Sequence, residues 1–337
     1  MRKLIIQIFL TILCLSAEAD NKALLIGIGD YPKETGWNTI SSVNDIDILK
    51  SAQPSTFTIQ TLTNEEATHQ EIIKALEELT KCSQQSDTIF IHFSCHGQQM
   101  VTNDTNEPDH LDEALIPFDA YKVKSSNYDG SHHLTDNELG VLINKLRKNV
   151  GRGGLIIVTL DACFSDSMDK GTKKAVSDSI IYRGCADIFG SNEISADSLN
   201  HILSKRTKMD SLMVDSMENG ADIVVLSACK SYQKNYEVKI MGVGYGSLSY
   251  SLVQSLEKNS FCNIKDWVVD VFQYMNKYAY TQQPQLRTTL DITIEQPKST
   301  SSEKPIDNNT RYPIIIVLGL LSTFIAFGFI WKRTVRK

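Results

Sequence analysis

Two short stretches of this 337-residue sequence place reactive side chains directly after apolar runs. The run 89–94 leads into His96 and Gly97, and the run 155–160 leads into Cys163. A cysteine thiolate is a strong nucleophile, and an adjacent imidazole lowers the pKa of the thiol and transfers protons. Cys163 and His96 are therefore a candidate nucleophile and its proton-transfer partner. Gly97 lets a substrate backbone approach closely, and its N–H with that of Cys163 can hold an oxyanion.

Both candidate residues also have a purely structural interpretation. A single buried histidine is often a satisfied core residue, and a free cysteine usually behaves as a small buried hydrophobe. Two nearby residues, His92 and Cys95, are rivals for the same roles. Residues alternate along a strand, so His92 shares a face with His96. Because His92 lies inside the apolar run, we expect it to pack in the core.

The elements that must position these residues are strands alternating with helices. Several strands are nearly continuous apolar runs, which is typical of parallel strands covered on both faces. The sequence therefore predicts an α/β fold with a mostly parallel central sheet of about six strands flanked by helices, and the carboxyl ends of neighbouring strands meet at one edge. The predicted strands are 23–28, 57–62, 88–94, 155–160, 223–227 and 289–294, and the predicted helices are 44–51, 68–79, 135–146, 248–256 and 267–278.

The two ends of the chain predict export and membrane anchoring. Residues 1–19 combine an early basic pair, a short apolar run and Ala17-Glu18-Ala19, which favours a cleaved signal peptide over an uncleaved anchor. Residues 312–331 form an uncharged apolar stretch with an aromatic residue at each edge, and basic residues fill the tail 332–337. These patterns predict a single-pass membrane protein with its bulk on the non-cytoplasmic side and a short cytoplasmic C terminus.

Changes in amino-acid composition predict the domain boundaries between the two ends of the chain. Residues 20–295 are expected to form one domain, with a polar, mobile insertion over about 166–220, and residues 296–311 form a linker. The formal net charge of −6 argues against a nucleic-acid partner, which usually requires a basic face. The cysteines that follow the signal peptide show no CxxC pair and no zinc-binding spacing, so no bridge is assigned.

The motifs together resemble the caspase/metacaspase group of cysteine peptidases, and are closer to metacaspases than to vertebrate caspases. The resemblance covers about 22–294. Asp166 departs from it, because the family usually has glycine there. The matching pieces are Ala23–Ile28, Val43-Asn44-Asp45, Ser94-Cys95-His96-Gly97, Asp112–Asp119, Leu134–Leu139, Asp161–Ser165 and Leu226-Ser227-Ala228-Cys229.

The resemblance implies a three-layer caspase-like sandwich and a cysteine endopeptidase acting on protein or peptide substrates through a Cys163/His96 dyad. It assigns Asp45, Asp161 and Ser227 to substrate binding. Carboxylates in such a pocket favour cleavage after arginine or lysine over cleavage after aspartate. The alternative for Asp45 is a helix cap. An alternative for the whole domain is a catalytically silent caspase-fold module that binds partners outside the membrane.

The resemblance also raises two subsidiary expectations. Some metacaspases bind calcium, although the chemistry itself requires no cofactor. The matching positions Asp112, Asp136, Asn137 and Asp169 carry the oxygen ligands that calcium prefers, but a solvated acidic loop explains them equally well. A preference for basic residues would also allow self-cleavage in the lysine-rich run 170–174.

Overall fold

Strands and helices follow one another along the part of the chain that the structure, a computed structural model, describes: residues 20–104, 109–164, 180–185, 187–205, 217–231 and 233–294. The strands are β1 (Asn21–Gly27), β2 (Phe57–Thr63), β3 (Thr88–Ser94), β4 (Gly97–Val101), β5 (Leu111–Leu115), β6 (Leu134–Thr135), β7 (Leu155–Asp161), β8 (Asp222–Ser227), β9 (Glu237–Ile240), β10 (Val243–Gly246) and β11 (Gln285–Thr288). The α-helices are α1 (Ser42–Ala52), α2 (His69–Cys82), α3 (Asp136–Val150), α4 (Ala196–Lys205), α5 (Ser247–Lys258) and α6 (Ile264–Tyr278).

A six-stranded sheet in the order β11-β8-β7-β3-β1-β2 runs through the middle of the fold. Five of its strands pair in parallel, and β11 pairs antiparallel with β8 at one edge. Two neighbouring parallel strands must be joined by a connection that crosses from one end of the sheet to the other. In this fold the connections contain helices. The predicted α/β fold, with a mostly parallel sheet of six strands flanked by helices, is confirmed.

The core lies on both faces of this sheet. Leu24 and Ile26 of β1 pack in one hydrophobic cluster, and Ala23 and Leu25 pack in the other. Residues of α2 and α3 join the first cluster, and residues of α1, α5 and α6 join the second. Full burial of a leucine-sized side chain contributes about 1.5–3 kcal/mol, so burying both faces of these strands holds the sheet rigidly. This rigidity fixes the positions of the strand ends.

The predicted sixth strand was misplaced. The structure places it at Gln285–Thr288, ahead of the predicted range 289–294. Thr288 pairs with Val224, which leaves almost no partner strand for later residues because β8 begins at Asp222. Every second residue in the predicted range is apolar and still packs against the core. The backbone there is nevertheless not part of a strand. The alternation of apolar residues correctly indicated which side chains face the core. It did not indicate where the hydrogen bonds between the two strands end.

Two small sheets surround the carboxyl ends of the central strands. One contains β4, β5 and β6, and the other is the β9–β10 hairpin. Strand β4 begins at Gly97, directly after His96, so the chain turns at the candidate residue. The hairpin contacts the start of α1, where Asn44 donates to the Gly244 carbonyl at 3.1 Å. Neither small sheet, nor helix α4 within the insertion predicted to be mobile, was predicted from the sequence.

The predicted signal peptide, the linker, the membrane span and the cytoplasmic tail lie outside the described residues and stay predictions. Among the helices that the structure does describe, none combines the length and the apolar character needed to cross a bilayer. The six cysteines in the described ranges are all free thiols.

Candidate active site

The register of two neighbouring strands brings His96 and Cys163 together. Strands β3 and β7 are parallel, and Ser94 at the end of β3 pairs with Asp161 at the end of β7. His96 and Cys163 each follow two residues later, so both chains leave the same edge of the sheet in register. Both residues are 2% exposed. His96 and Cys163 therefore lie just beyond the ends of adjacent parallel strands, and their catalytic roles stay predictions.

The imidazole of His96 is held in one tautomer. Its Nε2 lies 2.8 Å from the Asn38 carbonyl oxygen, which can only accept, so Nε2 carries the proton. Its ring stacks on Trp37, with centroids 5.0 Å apart. The buried Nδ1 has no hydrogen-bond partner among the described residues and is therefore available to accept a proton. Burial, helped by the positive charge of Arg183, lowers the pKa of His96 to about 4, so the ring is neutral at neutral pH.

The Cys163 thiol rests on a backbone carbonyl. Its Sγ donates to the Gln233 oxygen at 2.7 Å, and the Cys229 thiol approaches the same oxygen at 3.4 Å. The hydrogen bond with Cys163, followed by burial, raises the pKa of Cys229 well above its usual value. Cys229 therefore remains a protonated neighbour of the candidate nucleophile.

The two predicted oxyanion donors converge on one oxygen atom. The backbone N–H groups of Gly97 and Cys163 both donate to the Arg183 carbonyl oxygen, at 3.2 Å and 3.0 Å. Two N–H donors aimed at one carbonyl oxygen are the arrangement that stabilises the oxyanion of acyl transfer. A Cβ at Gly97 would lie 2.7 Å from the Cys163 carbonyl oxygen, so only glycine allows this approach.

An acidic pocket encloses the Arg183 guanidinium, which is fully buried. Asp45 lies 2.7 Å from Nη1, Glu237 lies 3.1 Å from Nη2, and Asp161 lies 3.9 Å from Nη1. The Ser94 hydroxyl accepts a further hydrogen bond from Nη1. Burial alone would lower the pKa of Arg183, but the three carboxylates raise it above its usual value. The pocket is thus built for a cation.

Asp161 is fixed by several donors. Asn235 donates its side-chain amide to Oδ1 at 2.7 Å, and Ser249 donates both its backbone N–H and its hydroxyl to Oδ2. Burial would raise the pKa of Asp161, but Arg183 and these donors hold it below the usual value. Asp161 therefore keeps its negative charge without relying on solvent.

Asp45 receives fewer donors. The backbone N–H of Gly246 donates to its Oδ1 at 2.8 Å, and the Ser94 hydroxyl donates to its Oδ2 at 2.7 Å. Burial, together with the negative charge of Asp161, raises the pKa of Asp45 to about 6 despite the opposing effect of Arg183. Asp45 is therefore a pocket carboxylate whose pKa is shifted toward neutral pH.

The predicted substrate-binding residues meet different outcomes. Asp45 and Asp161 line the acidic pocket, whereas Ser227 ends β8 opposite Leu160 and is not among the partners of Arg183. Two pocket residues, Ser94 and Glu237, were not assigned from the sequence. Ser94 was recoverable, because strand alternation places it on the face of His96. Glu237 was not, because no local motif surrounds it.

The rival residues lie in the core. His92 Nδ1 bonds the Thr159 hydroxyl at 2.7 Å, and its Nε2 bonds the Ser249 hydroxyl at 3.2 Å. Burial lowers the pKa of His92 to about 3, so it remains neutral. Cys95 is buried in a hydrophobic cluster, and burial raises its pKa to about 12. Neither residue is suited to proton transfer or nucleophilic attack near neutral pH.

The predicted calcium ligands are brought together only in part. The Asn137 amide donates to Asp112 at 3.3 Å, and Asp136 precedes Asn137 at the start of α3, while Asp169 lies outside the described residues. Burial raises the pKa of Asp112. Within the described ranges, no group of three or more histidine, cysteine or acidic side chains is placed to hold a metal ion. Calcium binding stays a prediction.

Comparison with known families agrees with this geometry. A family model described as a caspase domain matches residues 20–293. The chain belongs to the caspase-domain peptidase family. Its caspase domain is also similar in fold to the crystal structure of protein GSU0716 from Geobacter sulfurreducens, with a TM-score of 0.53, 21% identity, and coverage of 82% of this chain and 95% of that chain.

Several curated relatives of this caspase-domain chain are named metacaspases. Metacaspase-1B of Aspergillus fumigatus is 27% identical over 277 residues, which is 74% of this chain and 61% of the relative. Metacaspase-1A of Aspergillus oryzae is 24% identical, over 79% of this chain and 67% of the relative. Metacaspase-1 of Eremothecium gossypii is 24% identical, over 82% of this chain and 66% of the relative. The chain thus spans about two thirds of the length of these relatives.

Proposed function

We propose that this chain is a cysteine endopeptidase that hydrolyses peptide bonds after arginine or lysine through a Cys163/His96 dyad. One observation carries the proposal. A single arginine has its guanidinium in the acidic pocket and its carbonyl oxygen on the N–H groups of Gly97 and Cys163. A substrate arginine bound in the same way presents its carbonyl carbon beside the nucleophile.

The proposed reaction assigns one step to each of these groups. The Cys163 thiol leaves the Gln233 carbonyl, transfers its proton to Nδ1 of His96 and attacks the substrate carbonyl carbon. The oxyanion is held by Gly97 and Cys163 N–H groups, and His96 then protonates the leaving amine. Water hydrolyses the resulting thioester and releases the acid. The stacking of His96 on Trp37 keeps its ring oriented throughout these steps.

The charge of the pocket supports basic specificity. Asp45, Asp161 and Glu237 together provide more negative charge than one cation neutralises, so an acidic side chain would be repelled. Arginine fits better than lysine, because its planar fork contacts several carboxylates at once whereas lysine offers one point charge. We therefore expect arginine to be preferred over lysine, and aspartate to be rejected.

The silent-module alternative has no observation in its favour. Relatives named metacaspases and the presence of both dyad residues support a peptidase. The membrane-anchored location outside the cytoplasm and the calcium requirement stay predictions, and the assay below includes calcium and chelator arms for the latter.

The direct test is a peptide series that differs only in the residue before the cleaved bond. The full chain should release fluorophore from arginine peptides about tenfold faster than from lysine peptides, because one extra charge-assisted hydrogen bond contributes at least about 1.4 kcal/mol. No cleavage after aspartate is expected. A preference for aspartate, or equal rates for all three peptides, would contradict the proposal. Each peptide is assayed with added calcium and with chelator.

The pH dependence of kcat/KM should report Asp45. Its pKa is raised to about 6 while the pocket is occupied, and the loss of a neighbouring cation raises it further in the empty pocket. As the pH falls through this range Asp45 gains a proton, the pocket loses a negative charge, and affinity for a basic side chain falls. We expect kcat/KM for arginine peptides to decline below about pH 6–7.

A variant identifies the titrating group. Asp45→Asn should weaken cleavage at neutral pH and remove this acidic limb, whereas Asp47→Asn, an exposed position on the same helix, should leave the profile unchanged. Persistence of an identical limb in Asp45→Asn would assign the titration to another group.

A further inference from the structure

A second thiol lies directly beside the proposed nucleophile. The Cys163 Sγ donates to the Gln233 carbonyl oxygen at 2.7 Å, and the Cys229 Sγ donates to the same oxygen at 3.4 Å. The two side chains are also in hydrogen-bond contact with each other. Both residues are buried, at 2% and 5% exposure. The proposed peptidase reaction uses only one of these two sulfurs and assigns no step to Cys229.

The backbone around the two thiols brings them within reach of a covalent bond. Strands β7 and β8 are parallel neighbours in which Leu160 pairs with Ser227, and the Ala228 N–H donates to the Leu160 carbonyl at 3.0 Å. Cys163 and Cys229 follow this last pair within three residues. Neighbouring strands lie about 4.8 Å apart, and a disulfide joins Cα atoms about 4.4–6.8 Å apart, so the strand spacing is within the range of the bond.

The other thiols in the described ranges have different surroundings. Cys185 donates to the Asp187 carbonyl at 3.3 Å, so its sulfur has its own acceptor. Cys95 is buried in a hydrophobic cluster, and the remaining two cysteines are exposed. Among the described thiols, Cys229 is therefore the one that shares an acceptor with Cys163.

The electrostatics of the pair set the order in which the two sulfurs react. Nδ1 of His96 can accept the proton of the Cys163 thiol, and the resulting thiolate is the form that attacks peroxides. Cys229 stays protonated, because the hydrogen bond with Cys163, burial and the Cys163 charge raise its pKa. Oxidation of Cys163 removes that charge, which makes the Cys229 sulfur a better nucleophile for the second step.

We propose that Cys163 and Cys229 form a reversible disulfide when a hydroperoxide oxidises Cys163, and that this bond is an inactive, protected state of the active site. The bond occupies the sulfur that attacks a substrate, so peptide cleavage stops until a thiol reductant breaks it. Cys229 thereby prevents irreversible oxidation of Cys163 to a sulfinic acid. The bond itself does not depend on the proposed function, whereas its effect on peptide cleavage does.

The reaction balances with one hydroperoxide and two external thiols. The Cys163 thiolate attacks a peroxide oxygen, the oxygen–oxygen bond breaks, and the leaving oxygen takes the thiol proton from His96 to become water or an alcohol. The Cys229 sulfur then displaces hydroxide from the sulfenic acid, and its proton leaves with that hydroxide as water. The two cysteines lose two electrons and the peroxide gains them. Two external thiols later return both electrons and restore the cysteines.

The test treats the full chain with hydrogen peroxide, which is only slightly larger than the water that the proposed hydrolysis requires at the same sulfur. Non-reducing peptide mapping of wild type should yield linked peptides that contain Cys163 and Cys229, about 2 Da lighter than the two thiol peptides together. Cys229→Ser should lack this species and accumulate Cys163 sulfinic acid, about 32 Da heavier than the thiol. Cys185→Ser should form the bond as wild type does. The lysine-rich run 170–174, where self-cleavage was predicted, lies outside the described residues and contains no cysteine, so a cut there leaves this map readable.

Cleavage of an arginine peptide measures the consequence for activity. After peroxide and then dithiothreitol, wild type should regain about 80% or more of its own untreated activity, because a thiol reduces the disulfide. Cys229→Ser should regain about 10% or less of its own untreated activity, because a thiol does not reduce a sulfinic acid. Cys82→Ser, which removes an exposed thiol, should recover as wild type does.

The contrary results are distinct from one another. A Cys163–Cys185 linkage in place of the Cys163–Cys229 linkage overturns the inference, and so does sulfinic acid that forms as fast in wild type as in Cys229→Ser. Undiminished activity of a fully linked chain overturns it as well. If the melting curve shows that Cys229→Ser is unfolded, Cys229→Ala replaces it and the wild-type map decides whether the bond forms. A linked pair in a chain whose reduced form cuts no arginine peptide rejects the proposed function and leaves the disulfide standing.

Discussion

Replacing Cys163 by alanine should lower kcat/KM for an arginine peptide by about 10⁴-fold or more, to the level of the background. Removing a nucleophile abolishes the covalent route and leaves only the contribution of binding and the oxyanion donors. The side chain is small and its site is buried beside Gln233 and Cys229, so alanine should be accommodated without collapse of the fold. The measurement is steady-state cleavage of a fluorogenic arginine peptide.

The matched control for this substitution is Cys82→Ala. Cys82 is an exposed thiol at the end of α2, and its loss should leave kcat/KM unchanged. Equal melting temperatures for both variants and wild type would exclude unfolding as the cause. Retention of more than a few per cent of wild-type activity by Cys163→Ala would show that another residue is the nucleophile.

Asp161→Asn should lower kcat/KM for arginine peptides by about 10²–10³-fold. Breaking a buried ion pair typically costs about 3–5 kcal/mol, and Asp161 is the pocket carboxylate whose pKa is held low. Asparagine removes the charge and also mismatches the donors Asn235 and Ser249. The loss should therefore appear largely in recognition of the cation.

A substrate pair separates recognition from structural damage. A citrulline peptide has nearly the shape of the arginine peptide but no charge, so wild type should strongly prefer arginine and Asp161→Asn should lose most of that preference. Asp47→Asn, exposed on α1, should keep the wild-type ratio. Equal losses on both peptides in Asp161→Asn would mean that Asp161 supports the fold rather than specificity.

Local sequence patterns were sufficient to predict the central strands and to place the proposed dyad residues directly after two of them. Strands β3 and β7 are nearly continuous apolar runs because both of their faces are buried, and that burial imposes the pattern directly on the sequence. His96 and Cys163 follow those runs at equal distances, so parallel pairing alone brings them to the same edge. Helices such as α3 were visible for a similar reason, since Thr135 caps the Glu138 N–H at its start.

The edge strand and the pocket required long-range information. The position of β11 depends on where its antiparallel partner β8 begins, which no pattern within 285–294 encodes. The pocket joins Arg183 to Glu237 across 54 positions and to Ser94 across 89. A single arginine in a polar insertion is flanked by the same kind of residues whether its side chain is solvated or buried. The neighbouring sequence therefore cannot distinguish the two cases.

The sequence by itself determined the family and the parallel sheet and predicted the pair Cys163 and His96, because the burial and order of the strands leave a pattern in residues that are neighbours in the sequence. Only the tertiary structure decided that Arg183 lies in the acidic pocket with its carbonyl oxygen on Gly97 and Cys163. The physical reason is that the pairing of a buried charge depends on which distant carboxylates the folded chain brings around it.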